Sequence, residues 1–238
     1  MGNRLLSCLD AADLGLLEPH LKRVPLVQGD VLHEPANAVD WVYFPLSGAV
    51  SLVVVMKGGE TIEIGCVGRE GAIGLSAHLA PPHARSRAIV QAPGIAKAIS
   101  SSALRTALAR NENIRDLAIR YTETLAAQAE QIAACNALHS VEQRLARWLL
   151  QMSDRIGSAE LVGTQETIAE MIGVRRTTVT IVAQQFQQEG LIRYRRAHII
   201  ITNPTALRAL ACECYDVCRQ SDQLVQRADI EVKATAQS

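Results

Sequence analysis

Residues 164–184 read Thr164-Gln165-Glu166-Thr167-Ile168-Ala169-Glu170-Met171-Ile172-Gly173-Val174-Arg175-Arg176-Thr177-Thr178-Val179-Thr180-Ile181-Val182-Ala183-Gln184. Ile168, Ile172, Val174, Val179 and Val182 are apolar where two short helices must pack on each other. Ala169 is small at the expected crossing point. Gly173 stands at the turn, where a left-handed backbone is cheapest without a Cβ. Thr164 is placed to cap the first helix, with Glu166 in its favourable first turn. Gly190 ends the second helix. A lone glycine would suit any helical hairpin. Small, glycine and apolar positions that agree together predict a helix-turn-helix.

Working outward, Leu191-Ile192-Arg193-Tyr194 and Ala197-His198-Ile199-Ile200-Ile201 flank Arg195-Arg196. This predicts a two-stranded wing with a basic tip. Arg175, Arg176, Thr177, Thr178 and Thr180 open the second helix, the end that enters the major groove in such readers. There Arg bonds a guanine edge twice and Thr touches a thymine methyl. Arg193, Arg195 and Arg196 are placed for phosphates, which set affinity and salt dependence.

Upstream, Ser140-Val141-Glu142-Gln143 has capping-box spacing and starts another helix through Leu145, Trp148 and Leu149. Residues 103–137 lack Pro and Gly and are rich in Ala, Leu, Glu, Gln and Arg. They predict a short helix followed by a long one. Ile114, Leu117, Tyr121, Leu125 and Ile132 recur at a spacing near 3–4. That stripe suits either a core helix packed on its own strands or a dimer coiled coil; the paired habit of DNA readers favours the dimer.

Between about Val24 and Ile99, short apolar runs alternate with turn residues. Trp41 to Phe44 ends at Pro45. Val50 to Met56 and Thr61 to Val67 flank Gly58-Gly59, a hairpin pattern. Evenly spaced strands of this kind predict a jelly roll. The expected class is α+β: a β-roll over 1–110, a dimerisation helix over 111–138, a winged helix-turn-helix over 139–224 and a disordered tail over 225–238.

The whole chain has 238 residues, 48% apolar and 20% charged, which is a globular balance. Formal net charge is zero, which argues against a non-specific nucleic-acid coat while allowing a local basic face. No signal-peptide or membrane-spanning pattern is present, so the expected location is the cytoplasm. Six scattered cysteines do not form a secreted disulfide framework.

The chain resembles the Crp/Fnr family of bacterial transcription regulators. The resemblance rests on Tyr43-Phe44-Pro45-Leu46-Ser47-Gly48-Ala49-Val50, Gly68-Arg69-Glu70-Gly71-Ala72-Ile73-Gly74, Glu142-Gln143-Arg144-Leu145-Ala146-Arg147-Trp148-Leu149, and the helix-turn-helix with its wing. It implies a cyclic-nucleotide-binding-like roll, a homodimer, double-stranded DNA and RNA polymerase as partners, and a signal at the roll that alters DNA binding. Gly74, Leu75, Arg85 and Ser86 match the family's effector cassette. Leu75 replaces its ribose-gripping Glu, so cyclic AMP is expected to bind weakly or not at all. Of the family's base-reading positions, which fall on Arg176, Thr177 and Ile181, only Arg176 keeps the family residue.

No cofactor is expected. Cys8 stands alone, unlike the clustered N-terminal cysteines of the iron–sulfur branch. His78 and His83 leave heme open, with simple solvation the blander reading. Cys212-x-Cys214-x3-Cys218 leaves metal or redox chemistry open beside the role of small buried residues. A cyclic-nucleotide-binding module whose helical part serves protein contacts and a cupin-type enzyme are the competing functions. The cupin lacks His between Trp41 and Val67, and the chain is not expected to be an enzyme.

Overall fold

The computed structural model describes residues 2–78 and 83–222. The expected tail, 225–238, lies outside them. The N-terminal lobe holds helix α1 (Ala11–Leu17) and strands β1 (Lys22–Leu26), β2 (Val31–His33), β3 (Trp41–Pro45), β4 (Ala49–Val55), β5 (Thr61–Val67), β6 (Arg87–Ala92) and β7 (Gly94–Ser100). The strands form two antiparallel sheets, ordered β1-β7-β3 and β2-β6-β4-β5. Val50, Val67, Ile73, Val90 and Ala96 fill the space between them, as a jelly roll requires. The β4–β5 hairpin is present, with Val55 opposite Thr61. Its turn is wider than a two-residue loop. Met56 accepts from the Gly59 N–H at 3.0 Å, and its own N–H donates to Glu60.

Helices α2 (Ser101–Arg110) and α3 (Glu112–Leu138) follow. Asn111 caps α3 by accepting from the Ile114 N–H at 2.9 Å. At 27 residues, α3 is about 40 Å long. Its Ile114, Leu117, Tyr121 and Ile132 are buried within the chain itself, the first three in one cluster with Val42, Phe44 and Leu104. This corrects the dimer assignment of that stripe, because the roll and α2 already cover it. The other face of α3 carries Ile119, Ala126, Ala133, Ala134, Ala137 and Leu138, all exposed.

The C-terminal lobe comprises α4 (Val141–Ile156), β8 (Glu160–Val162), α5 (Gln165–Ile172), α6 (Arg176–Gln188), β9 (Ile192–Arg195), β10 (His198–Ile201) and α7 (Pro204–Leu210), then a helical stretch at 214–222. The capping box at Ser140 and Gln143 forms as its spacing predicts. The wing has three strands, β8-β10-β9, where two were expected. Three residues are too few for β8 to leave a periodic trace.

The two lobes share one apolar core. Ala49, Val53, Cys66 and Ala92 from the outer face of the four-stranded sheet pack with Leu145, Leu149, Met152, Ile168 and Phe186. The sheet is thus covered on both faces. Polar bonds add to this seam. Arg155 pairs with Glu70 at 3.0 Å and Asp222 at 2.5 Å, and its Nε donates to the Cys66 carbonyl at 3.1 Å.

Glu63 is buried in the same seam and accepts from the Ser51 hydroxyl. Burial pushes its carboxyl up to about 7, against the pull of Ser51, Arg147 and Arg155. The folded chain therefore holds a proton that the unfolded chain releases above about pH 4.5. Stability should fall as pH rises from about 4.5 to 7 and level off beyond, by about 3 kcal/mol in total from this group. Glu63→Gln should remove that slope in thermal melts across the pH range, leaving the variant more stable than wild type at pH 8.

Candidate DNA-reading interface

The helix-turn-helix is built as its sequence directs. The Thr164 hydroxyl accepts from the Thr167 N–H at 3.1 Å and starts α5. Gly173 ends α5 at φ 63°, ψ 49°, and Val174 N–H returns to the Ala169 carbonyl at 3.0 Å. A side chain here would be doubly opposed: a Cβ would lie 2.7 Å from Ile62 Cδ1 on β5. Arg144, from α4, donates to the Ile172 carbonyl and places positive charge at the end of α5. The turn is therefore fixed from both α4 and the roll.

α6 packs through Val179, Val182, Ala183 and Phe186, all buried. Arg175, Arg176, Thr177, Ile181 and Gln184 are exposed. Residues 177, 181, 184 and 188 share one face at helical spacing. Arg175 caps the helix in extended backbone without a side-chain hydrogen bond, so the first N–H groups of α6 are free for an anion. Thr178 is half-buried. The Thr180 hydroxyl donates to Gln165 Oε1 at 2.7 Å, and the Arg176 carbonyl lies 3.1 Å away. Thr180 therefore braces α5 on α6 in this structure.

Arg176 lies 3.7 Å from Glu166, and both side chains are about two-thirds exposed. Such a pair is weak and solvent-screened, so it parks Arg176 without locking it. An open groove of about 530 Å³ separates α6 from the wing, lined by Glu166, Arg176, Gln184, Gln187, Tyr194 and Arg196 among others. Tyr194 closes its floor, donating its hydroxyl to the Gly163 carbonyl at 2.9 Å.

Arg193, Arg195 and Arg196 are all exposed. Arg195 pairs with His198, leaving Arg196-Ala197 as a two-residue turn with φ of 49° and 67°. Both residues carry a Cβ in the left-handed region, which costs roughly 1–2 kcal/mol apiece. Strain at a basic tip fits a position set by function. Of the expected DNA residues, Arg176 and Arg196 line one groove, Arg175, Thr177, Arg193 and Arg195 are exposed, and Thr178 and Thr180 are half-buried. Sequence reasoning missed Gln184 and Gln187, which line the same groove. Gln184 was findable, seven positions beyond Thr177 on the same face.

Residues 143–210 match the family model of the Crp-like helix-turn-helix domain. The C-terminal lobe is a Crp-like helix-turn-helix domain. A global nitrogen regulator of Synechococcus elongatus is 23% identical to the protein over 189 residues, 76% of this chain and 85% of that one. FixK2 from Bradyrhizobium japonicum has the same fold at a TM-score of 0.70, with 17% identity over 81% of this chain and 98% of FixK2. A Crp/Fnr-family regulator from Thermus thermophilus matches at 0.65, with 22% identity, covering 80% and 98% of the two chains. The shared fold therefore spans both lobes of the chain. No helix among its described residues is long and apolar enough to cross a membrane.

The expected effector residues fall in two places on the roll. Gly74 has φ 86°, and a Cβ there would lie 2.9 Å from Val39. Leu75 is buried in the apolar cluster beneath α2 and α3. Arg85 is exposed and Ser86 is buried, the Ser86 carbonyl 3.1 Å from His33 Nδ1. Residues 79–82, which connect the two pairs, lie outside the described part. His78 is half-buried with Nε2 3.3 Å from the Ser101 hydroxyl, and burial lowers its pKa. His83 is exposed.

Proposed function

We propose that this protein is a Crp/Fnr-type transcription regulator, a homodimer that reads a two-fold symmetric operator in double-stranded DNA with α6. The observation that carries the reading is the exposed face of α6, with Thr177, Ile181 and Gln184 aligned, Arg176 at its edge and Arg196 of the wing across the groove. Arg176 suits a guanine edge, Gln184 an adenine edge and Ile181 a thymine methyl. Arg175, Arg193, Arg195 and Arg196 suit phosphates, as does the start of α6.

The free face of α3 supplies the dimer contact. Ile119, Ala126 and Ala133 recur every seven residues, and Ala137 and Leu138 continue the stripe. Small residues let two such helices approach closely, as in a coiled coil. Ala133→Asp should yield a monomer in light scattering that no longer retains operator DNA. Selection of bound duplexes from a random pool should return an inverted repeat with half-site centres about 34–36 Å apart. A motif without two-fold symmetry would remove the dimer reading.

The regulator acts in the cytoplasm, with RNA polymerase as its further partner, and is not an enzyme. Its roll transmits a signal other than cyclic AMP. The burial of Leu75 supports this, since an apolar side chain at that place accepts no bond from a ribose hydroxyl.

A further inference from the structure

The geometry points to a metal site that fastens the two lobes: Cys135, His139, Cys212 and Cys214 bind one zinc-type ion in tetrahedral coordination. Cys135 lies in the last turn of α3, and His139 is the residue that ends it, in extended backbone at φ −101°, ψ 150°. Cys212 and Cys214 follow α7. The fold brings these segments together from 77 residues apart.

The four donor atoms all lie within 4.8 Å of one another. Cys135 Sγ is 3.5 Å from Cys212 Sγ, and Cys214 Sγ is 3.5 Å from His139 Nδ1. A tetrahedron with Zn–S bonds near 2.3 Å has edges of about 3.7 Å. The cluster thus closes around one ion with little movement. An iron–sulfur cluster would spread its ligands over several irons, and thiolates do not suit magnesium or calcium.

Three neighbours support the assignment. With Nδ1 on the metal, His139 Nε2 faces the Glu213 carboxylate at 3.2 Å, the outer contact that orients metal-bound histidines. Gln131 Nε2 lies 3.0 Å from Cys214 Sγ and can donate to a thiolate there. Arg147 is 1% exposed and its Nε has no hydrogen-bond partner. Three thiolates around a divalent ion carry one net negative charge, which the buried Arg147 balances. Loading displaces the thiol protons to solvent and leaves every ligand oxidation state unchanged. A Cys135–Cys212 disulfide would use two of the four groups and leave the Cys214–His139–Glu213 arrangement without purpose.

The test uses the full chain, purified under reducing conditions, with zinc measured by mass spectrometry and cobalt(II) as the optical probe. One zinc per chain is expected, and cobalt should give the intense visible bands of a tetrahedral site with thiolate charge transfer. Cys135→Ser and Cys214→Ser should lose that spectrum, while Cys8→Ser should keep it. Glu213 is exposed, so Glu213→Gln should fold, retain the spectrum and bind about 10–100-fold more weakly. Chain purified without bound zinc that also gives no tetrahedral cobalt spectrum would overturn the proposal. So would loss of the spectrum in Cys8→Ser, or a Cys135–Cys212 disulfide in freshly reduced protein.

Discussion

Arg176→Ala should weaken binding to cognate DNA by about 1–3 kcal/mol at each guanine it reads, and leave binding to scrambled DNA nearly unchanged. Arg176 opens α6, is two-thirds exposed, and is held only by the loose contact with Glu166. Arg175 is the N-cap, in extended backbone just before the helix begins, and is better placed for phosphate. The wing gives the contrast. Arg195→Ala or Arg196→Ala should weaken binding to both duplexes alike and flatten the salt dependence, because a phosphate contact releases a counterion whatever the sequence. Titrations of each variant against cognate and scrambled duplexes at two salt concentrations separate the two roles. Equal loss on both duplexes for Arg176→Ala would assign it to phosphate.

Arg155→Ala should destabilise the fold by about 3–5 kcal/mol, the range for removing one partner of a buried ion pair. Arg155, Glu70 and Asp222 expose only 9–11% of their side chains. Without the guanidinium, two largely buried carboxylates remain facing each other, beside a cavity of about 160 Å³ that Arg4, Arg69 and Arg219 also line. Desolvation and the neighbouring Asp222 already push the Glu70 carboxyl upward, and Arg155 is what opposes them. The variant should therefore recover part of its stability as pH falls and the carboxyls take up protons. Chemical denaturation at pH 5 and pH 8 measures both effects. A loss below about 1 kcal/mol at pH 8 would mean that the pair is screened by solvent.

Local pattern made the DNA-reading unit legible. Gly173, Ala169 and the flanking aliphatic residues report on contacts within twenty residues, and the capping box at Ser140 is local as well. The β4–β5 hairpin was legible for the same reason. The stripe on α3 was not, because periodicity tells that a face is covered and not what covers it. Ile114, Leu117 and Tyr121 meet the roll and α2, while the quieter alanine face is the one left open. Cys135 and His139 gave no warning either, since their neighbours Cys212 and Cys214 stand more than seventy residues away. The shared core of the two lobes does leave one local sign: Ala49 to Met56 is apolar except for Ser51. A strand with solvent on one face alternates; an unbroken run implies cover on both.

That double cover bears on how such a protein can be re-engineered. Cutting the chain between α3 and α4 would strip Val53, Cys66 and Ala92 of their apolar neighbours on one side and Met152 and Met171 on the other. Grafting this reading head onto a foreign sensor would leave both cut surfaces sticky, however well the linker is chosen. New operator specificity is more safely introduced by changing the exposed side chains of α6 in place than by exchanging whole modules.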